Sequence, residues 1–122
     1  LIKAGEFKQA MEVAQQIEDA KLKANALREI ALALIEAGDK EQALVVLKQA
    51  VEAAQEIENV WDKANALREI ALALIEAGDK KQALVVLKQA VEVAQQIENE
   101  EFKASTLREI IASLEAKNPP GP

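Results

Sequence analysis

A stretch of forty residues occurs twice in this chain and accounts for most of its length. Residues 26–65 recur as residues 66–105, and the two copies differ at only seven positions. Residues 1–25 resemble a shortened second half of this unit, and residues 106–117 resemble its first half. Repeats of 20–50 residues are typical of stacked supersecondary units. We therefore predict one tandem-repeat domain over residues 1–117, followed by a flexible tail at 118–122.

The composition predicts that the repeated unit is helical. Half of the residues are apolar but only 2 % are aromatic, and the 122 residues include four glycines and three prolines. The most frequent residues, Ala, Leu, Glu, Lys and Gln, are strong helix formers. These observations indicate an all-α protein.

Capping residues divide the chain into about six helices. Gly38 and Gly78 are suited to the left-handed conformation that ends a helix. Asp39 and Asp79, with Asp19, Asn59 and Asn99, are the residue types preferred at helix starts. The predicted order is a stub at Leu1–Ala4 and then helices near 6–18, 20–37, 40–58, 60–77, 80–98 and 100–117.

Apolar residues at helical spacing predict how these helices pack. One seam of the second helix in each unit consists of Ala43, Leu47, Ala50, Ala54 and Ile57. The first helix offers the matching seam Leu27, Ile30, Ala31 and Leu34. Because the predicted connections have one to three residues, consecutive helices are expected to lie antiparallel. We expect Leu47 and its copy Leu87 to be buried in the seam.

The spacing of small and large residues around Gly-Asp resembles the tetratricopeptide repeat. The residues that match its pattern are Leu27, Ile30, Ala31, Leu34, Gly38, Asp39, Ala43, Leu47 and Ala50, and their equivalents forty residues later. The resemblance implies a right-handed α-solenoid of antiparallel helix pairs. The chain departs from that family by having Leu at its aromatic positions and no proline after the second helix. The near-identity of the copies, including exposed positions, is typical of a consensus-designed array, with recent tandem duplication as the alternative.

The sequence offers little for catalysis. It contains no His, Cys or Tyr, which excludes a thiolate or a nucleophile–imidazole pair. We predict no enzyme activity, no cofactor and no metal site. A net charge of −6 disfavours nucleic acid and anionic membranes as partners, and no apolar run approaches the ~20 residues of a spanning helix. The compartment is not readable beyond a cytoplasmic type if the protein is natural.

The resemblance also implies a peptide groove on one face of the first helices. The matching positions are Asn25, Arg28, Leu32, Ile35, Asn65, Arg68, Leu72, Ile75 and Arg108. Arginines at the same position of successive units predict a ladder that binds an acidic or C-terminal peptide, because guanidinium groups bind carboxylates bidentately. The alternative is that Arg–Glu pairs merely solvate this face.

Two functions remain open at this point. The first hypothesis is a structural scaffold that self-associates into a homo-oligomer, and the second is a peptide-binding interaction module. For self-association we expect exposed Val45, Val85 and Trp61 on the faces, or the N-terminal end, to make the contacts. The C-terminal helix is expected to be blunted by a polar surface at Ala112, Ser113 and Glu115. The chain begins inside a motif, which is consistent with further residues upstream of Leu1.

Overall fold

The computed structural model describes residues 4–117, which form six α-helices and no β-strand. The helices are α1 (Ala4–Gln15), α2 (Ala20–Glu36), α3 (Lys40–Gln55), α4 (Val60–Glu76), α5 (Lys80–Ala94) and α6 (Glu100–Lys117). The predicted all-α class with six helices is confirmed for this range. Of the predicted stub, Ala4 begins α1, while residues 1–3 and the predicted tail at 118–122 lie outside the described residues. None of these helices combines the length and hydropathy that crossing a membrane requires.

Five of the six predicted helix starts are confirmed by their capping hydrogen bonds, whereas α1 begins at Ala4 instead of near residue 6. At each of these five starts, a side-chain oxygen accepts a hydrogen bond from the backbone N–H three residues later, at 2.9–3.1 Å. The five capping residues are Asp19, Asp39, Asn59, Asp79 and Asn99. Each bond satisfies a backbone donor that the helix itself leaves without a partner, which typically stabilises a helix by about 0.5–2 kcal/mol.

Two glycines end the first helices in the predicted left-handed conformation. Gly38 has φ +88° and Gly78 has φ +92°. At the first of these turns the N–H of Asp39 donates to the carbonyl of Leu34 at 2.9 Å, and that of Gly38 donates to Ile35 at 3.0 Å. This is the hydrogen-bond pattern of a Schellman turn. It reverses the chain within three residues and starts the next helix at once.

The second helices end earlier than predicted. The predicted ends at residues 18, 58 and 98 are wrong, because α1, α3 and α5 stop at Gln15, Gln55 and Ala94. After α3 the N–H of Ile57 donates to the carbonyl of Ala54 at 3.1 Å, a tighter turn than that of an α-helix. This turn directs Ile57 into the core, where it is buried. The connections to the next helices are therefore four or five residues long rather than one to three.

The predicted seams form the core. Ala43, Leu47, Ala50 and Ala54 of α3 are completely buried, and α3 packs most extensively against α2, as α5 does against α4. Further contacts join α1 to α2, α2 to α4, α3 to α4, α4 to α6 and α5 to α6. The buried residues form one cluster that extends from Ala14 to Ile110. Alanine at the seams lets neighbouring helices approach closely while leucine and isoleucine fill the space between them.

The predicted polar surface of the last helix is only partly correct. Ser113 is buried, and its hydroxyl donates to the carbonyl of Glu109 at 3.0 Å. It occupies the position of Ala73, which is also buried. Ile111 occupies the position of Ala71, which is completely buried, but its own side chain is 51 % exposed. Towards the end of α6, the exposed residues are Ile111, Ala112 and Glu115.

The buried seam gives a quantitative prediction for Leu87. Replacing this completely buried side chain by alanine is expected to lower the free energy of unfolding by about 2–5 kcal/mol, through lost transfer energy and the cavity left behind. The matched control is Leu22→Ala, because that leucine is exposed, and we expect it to change stability by less than about 0.5 kcal/mol. Urea titration of both variants measures the difference. Equal effects would contradict the assignment of the seam.

The left-handed turn gives a second prediction. Gly78→Ala is expected to destabilise the fold by about 1–2 kcal/mol, because a side chain disfavours positive φ. The cost is purely conformational, since no neighbouring atom lies within 4 Å of the added Cβ. Gly78→Asn is expected to cost less, because asparagine tolerates this conformation. As a control, Gly5→Ala in helix α1 should raise stability by up to about 1 kcal/mol. A Gly78→Ala variant as stable as the parent would show that the turn is misplaced.

Candidate functional site

Successive first helices contact one another with a constant offset in sequence. The contacts between α2 and α4 and between α4 and α6 include two ion pairs and one pair of aromatic rings. They are Lys21 Nζ–Asp62 Oδ1 at 3.3 Å, Arg68 Nη2–Glu109 Oε2 at 3.6 Å, and Trp61–Phe102 with ring centroids 6.2 Å apart. The partners are 41 residues apart in every case, one residue more than the repeat. A residue of one first helix therefore contacts the residue one position after its own equivalent in the next first helix.

The second helices show a different offset. The side-chain amide of Gln15 donates to Gln49, and that of Gln55 donates to Gln89 at 2.8 Å. Both pairs are 34 residues apart. The same hydrogen bond thus joins α1 to α3 and α3 to α5. The contacts between first helices thus have an offset of 41 residues, and those between second helices have an offset of 34. Together the two offsets describe how each unit lies on the next.

A cleft of about 280 Å³ lies where the three first helices meet. Its walls carry two amides, two basic groups, three carboxylates and one indole ring. The lining residues are Lys21, Asn25, Trp61, Asp62, Asn65, Ala66, Arg68, Glu69 and Glu109. Because α2, α4 and α6 all contribute side chains, the stacking of the units determines the shape of this cleft.

The aromatic pair forms one side of this region. The side chains of Trp61 and Phe102 are 47 % and 56 % exposed, and their rings are tilted by 40°. Tilted rings at this distance attract each other through their quadrupoles. The core residues are aliphatic, so the aromatic pair adds to the surface of the protein rather than to its interior.

Polar side chains in the cleft are held by specific partners. The Asn65 side-chain amide donates to the backbone carbonyl of Trp61, one turn earlier in α4, at 2.9 Å, which fixes the orientation of the amide. Arg68 is largely buried and pairs with Glu109 through Nη2. The Nε atoms of Arg68 and Arg28 are buried without a hydrogen-bond partner. The charge of Arg68 is thus partly neutralised before any ligand arrives.

The structure brings three of the predicted groove residues together in this cleft: Asn25, Asn65 and Arg68. The others do not line it. Arg28 and the four apolar positions are partly buried on α2 and α4, and Arg108 is exposed on α6; the apolar residues are Leu32, Ile35, Leu72 and Ile75. These apolar side chains keep part of their surface accessible. Their role in binding a ligand stays a prediction.

Sequence reasoning missed Lys21, Asp62, Glu69 and Glu109, and it placed Trp61 at a lateral contact instead of in this cleft. A signal for these positions was present. Four of the seven differences between the copies fall in the first two turns of α4 and α6, where residues 60, 61, 62 and 65 are replaced in the second copy. The two copies are otherwise nearly identical. Such a local concentration of differences indicates that the sequence of this surface is not set by the repeat alone.

Other clefts differ in character. One of about 760 Å³ lies where α1, α2 and α3 meet, and its lining includes Gln15, Lys23, Gln49 and Glu56 but no aromatic ring. Another, of about 480 Å³, is lined by Leu44, Val45, Val51 and Leu74, together with polar side chains. Within residues 4–117, no group of three or more acidic side chains is arranged to hold a metal ion.

Comparisons with known proteins give one structural likeness. Neither the comparison with protein families nor that with curated proteins finds a match. Among solved structures, the crystal structure of Ton1535 from Thermococcus onnurineus NA1 is similar to this chain, with a TM-score of 0.76 and 27 % sequence identity. The likeness covers 93 % of this chain and 32 % of that protein, so the chain spans about a third of its length.

Proposed function

We propose that this chain is a non-catalytic scaffold built as a tetratricopeptide-like α-solenoid of antiparallel helix pairs. Two observations support this architecture. The first is the constant offset of 41 residues between first helices and of 34 between second helices, which is expected of units stacked in a regular array. The second is that each first helix contacts the first helix of the next unit, α2 with α4 and α4 with α6. We further propose that the copies are so alike because the array was designed, with tandem duplication as the alternative origin.

The non-catalytic assignment is supported by the placement of the hydroxyl groups. With no His, Cys or Tyr in the sequence, Ser and Thr are the remaining hydroxyl nucleophiles. The side chains of Thr106 and Ser113 are buried, and the Ser113 hydroxyl bonds within its own helix. Ser105 is exposed, but no histidine is available to activate it. These groups therefore serve packing and helix geometry.

Within this scaffold, the face of the first helices binds a peptide segment of a partner protein. The observation that carries this proposal is the cleft in which α2, α4 and α6 together place Asn25, Asn65, Arg68 and Trp61. Amide side chains can form paired hydrogen bonds with an extended backbone, because they both donate and accept. An aromatic ring in the same cleft provides apolar area for a side chain of the ligand.

The first functional prediction is that peptide ligands contact the first-helix face. We would titrate isotope-labelled protein with 12-residue peptides that carry Glu, Gln or Arg in a Gly/Ala/Ser background and follow backbone amide shifts by NMR. Perturbed amides are expected on α2, α4 and α6 around residues 61–68. An Asn65→Ala variant should bind at least threefold more weakly, because it loses the amide that lies beside Trp61. Gln55→Ala on the second-helix face serves as the control.

Two results would contradict peptide binding at this face. One is the absence of any shift change with all three peptides at millimolar concentration. The other is a set of perturbed amides confined to α3 and α5. If the Glu peptide binds best and Arg68→Ala abolishes its salt dependence, the arginine positions predicted from the sequence determine the ligand.

Self-association is a second candidate function, and a specific surface favours it. Val45 and Val85 are 54 % and 44 % exposed at equivalent positions of α3 and α5. Val45 also lines the cleft that contains Leu44, Val51 and Leu74. Exposed apolar area that is contiguous commonly marks a protein–protein interface. We propose that a second copy of the chain covers this face.

Sedimentation equilibrium at 10–100 µM tests self-association. We expect a mass above the 13.3 kDa of the monomer that rises with concentration. The double variant Val45→Lys, Val85→Lys should remain monomeric, because lysine keeps the helix but introduces charge into the contact. Ile111→Lys on α6 is the control and should leave the mass unchanged. A parent chain that stays monomeric across this range would rule out the proposed contact.

A further inference from the structure

The aromatic pair formed by Trp61 and Phe102 lies on the surface and takes no part in the buried core. The described core consists of aliphatic side chains and a few small polar ones, whereas the rings of Trp61 and Phe102 remain about half exposed while touching each other. Tryptophan and other aromatic residues are enriched among the residues that dominate binding at interfaces. The pair also lies among the positions at which the two copies differ. It is therefore specific to this one junction between units.

Several acidic side chains lie close to the pair in the sequence and in the adjoining cleft, although Lys63 and Lys103 are also near it in the sequence. Glu100 and Glu101 occupy the first turn of α6 directly before Phe102, and both are exposed. In the adjoining cleft both basic groups already have acidic partners, since Lys21 pairs with Asp62 and Arg68 pairs with Glu109. Glu69 adds a further carboxylate to the same lining. The net charge of the whole chain has the same sign.

We infer that the aromatic pair binds a basic side chain, an arginine or a lysine, of the partner's peptide segment. The cation lies against the Trp61 ring, beside Phe102, and the carboxylate of Glu101 contributes to its attraction. Tryptophan is the best aromatic partner for a cation. Arginine is preferred over lysine, because its planar and weakly hydrated guanidinium group stacks on rings. This inference names the ligand class for the face proposed above and rests on that proposal.

The cleft already accommodates the cation of Lys21 in addition to that of Arg68. The ammonium group of Lys21 lies 3.3 Å from Asp62, and both residues line the cleft together with Trp61. The equivalent of Lys21 is Trp61 in the next unit and Glu101 in the last one, while the equivalent of Asp62 is Phe102. The junction between α2 and α4 thus contains both charges of an ion pair. At the equivalent positions, the junction between α4 and α6 has two aromatic rings and the carboxylate of Glu101 but no basic group. A basic side chain of a ligand would complement this set.

The single tryptophan of the chain makes the test direct, because all tryptophan fluorescence comes from this site. The 122-residue protein would be titrated with three acetylated and amidated 12-residue peptides that have four Arg, four Gln or four Glu in an identical Gly/Ala/Ser background. We expect the Arg peptide to bind at least tenfold more tightly than the Gln peptide in 20 mM salt. The advantage should shrink as salt is raised to 500 mM, because screening weakens the attraction between exposed charges.

Two variants separate the roles of the ring and the carboxylate, and each introduces a residue type that the chain itself has at the equivalent position of its first unit. Phe102→Leu, which matches Leu22, should weaken binding of the Arg peptide about two- to fivefold, as expected for an exposed cation–π contact. Glu101→Lys, which matches Lys21, should weaken it at least fivefold and remove most of the salt dependence. Ile111→Ala, an exposed apolar truncation on α6 outside the cleft, is the matched control and should bind like the parent. Melting temperatures of all variants verify that each is folded.

The outcomes distinguish this inference from the proposed function. If the Arg peptide binds and both variants bind it as well as the parent does, the cation site is overturned. Tighter binding of the Glu peptide also overturns it, while peptide binding at the first-helix face stands. If none of the three peptides changes the fluorescence or the NMR spectrum up to millimolar concentration, both proposals fail.

Discussion

Close packing of alanine against leucine between neighbouring helices is the constraint on which the rest of this structure depends. Ala43, Ala50 and Ala54 are completely buried, and they let α3 lie close to α2. Because interiors are packed as densely as crystals, a seam of small residues allows only a narrow range of helix positions. The capping residues and left-handed glycines then need only reverse the chain at the correct places. The seam sets the position of α3 on α2, and this helix pair then presents a defined surface to the next unit.

The offset between units has a chemical consequence for a chain of near-identical repeats. If equivalent residues of successive units faced each other, arginine would meet arginine and glutamate would meet glutamate. An offset of 41 instead places Arg68 against Glu109 and Lys21 against Asp62. Ion pairs that remain partly exposed, as these do, contribute little to stability, about 0–1 kcal/mol, but like charges in the same places would oppose stacking. The register between units therefore determines which charges remain for a ligand.

Local signals in the sequence were enough to predict the elements of the fold. Caps such as Asp39 and turns such as Gly38 act on their immediate neighbours, and the periodicity that places Leu47 in the core is a property of one helix. The same periodicity placed Ile57 in the seam, but it could not report that α3 ends at Gln55 and that a tighter turn delivers Ile57 to the core. The burial of Ser113 depends on which neighbours α6 has. The composition of the cleft depends on an offset of one residue that arises only when units are packed, so the predicted arginine ladder could not include Glu109.

The same offset explains how a chain of near-identical repeats can vary its surface without loss of its fold. The residues at which the copies differ most lie in the first two turns of the first helices, away from the seam residues that are identical in both copies. Across each junction these positions meet as complementary partners, an ion pair between Lys21 and Asp62 and a ring pair between Trp61 and Phe102. Each pair joins residues from adjacent units, so neither member can form the contact without the other. Substitution of a whole pair changes the chemistry of a junction while the alanine seam and the glycine turns keep its geometry.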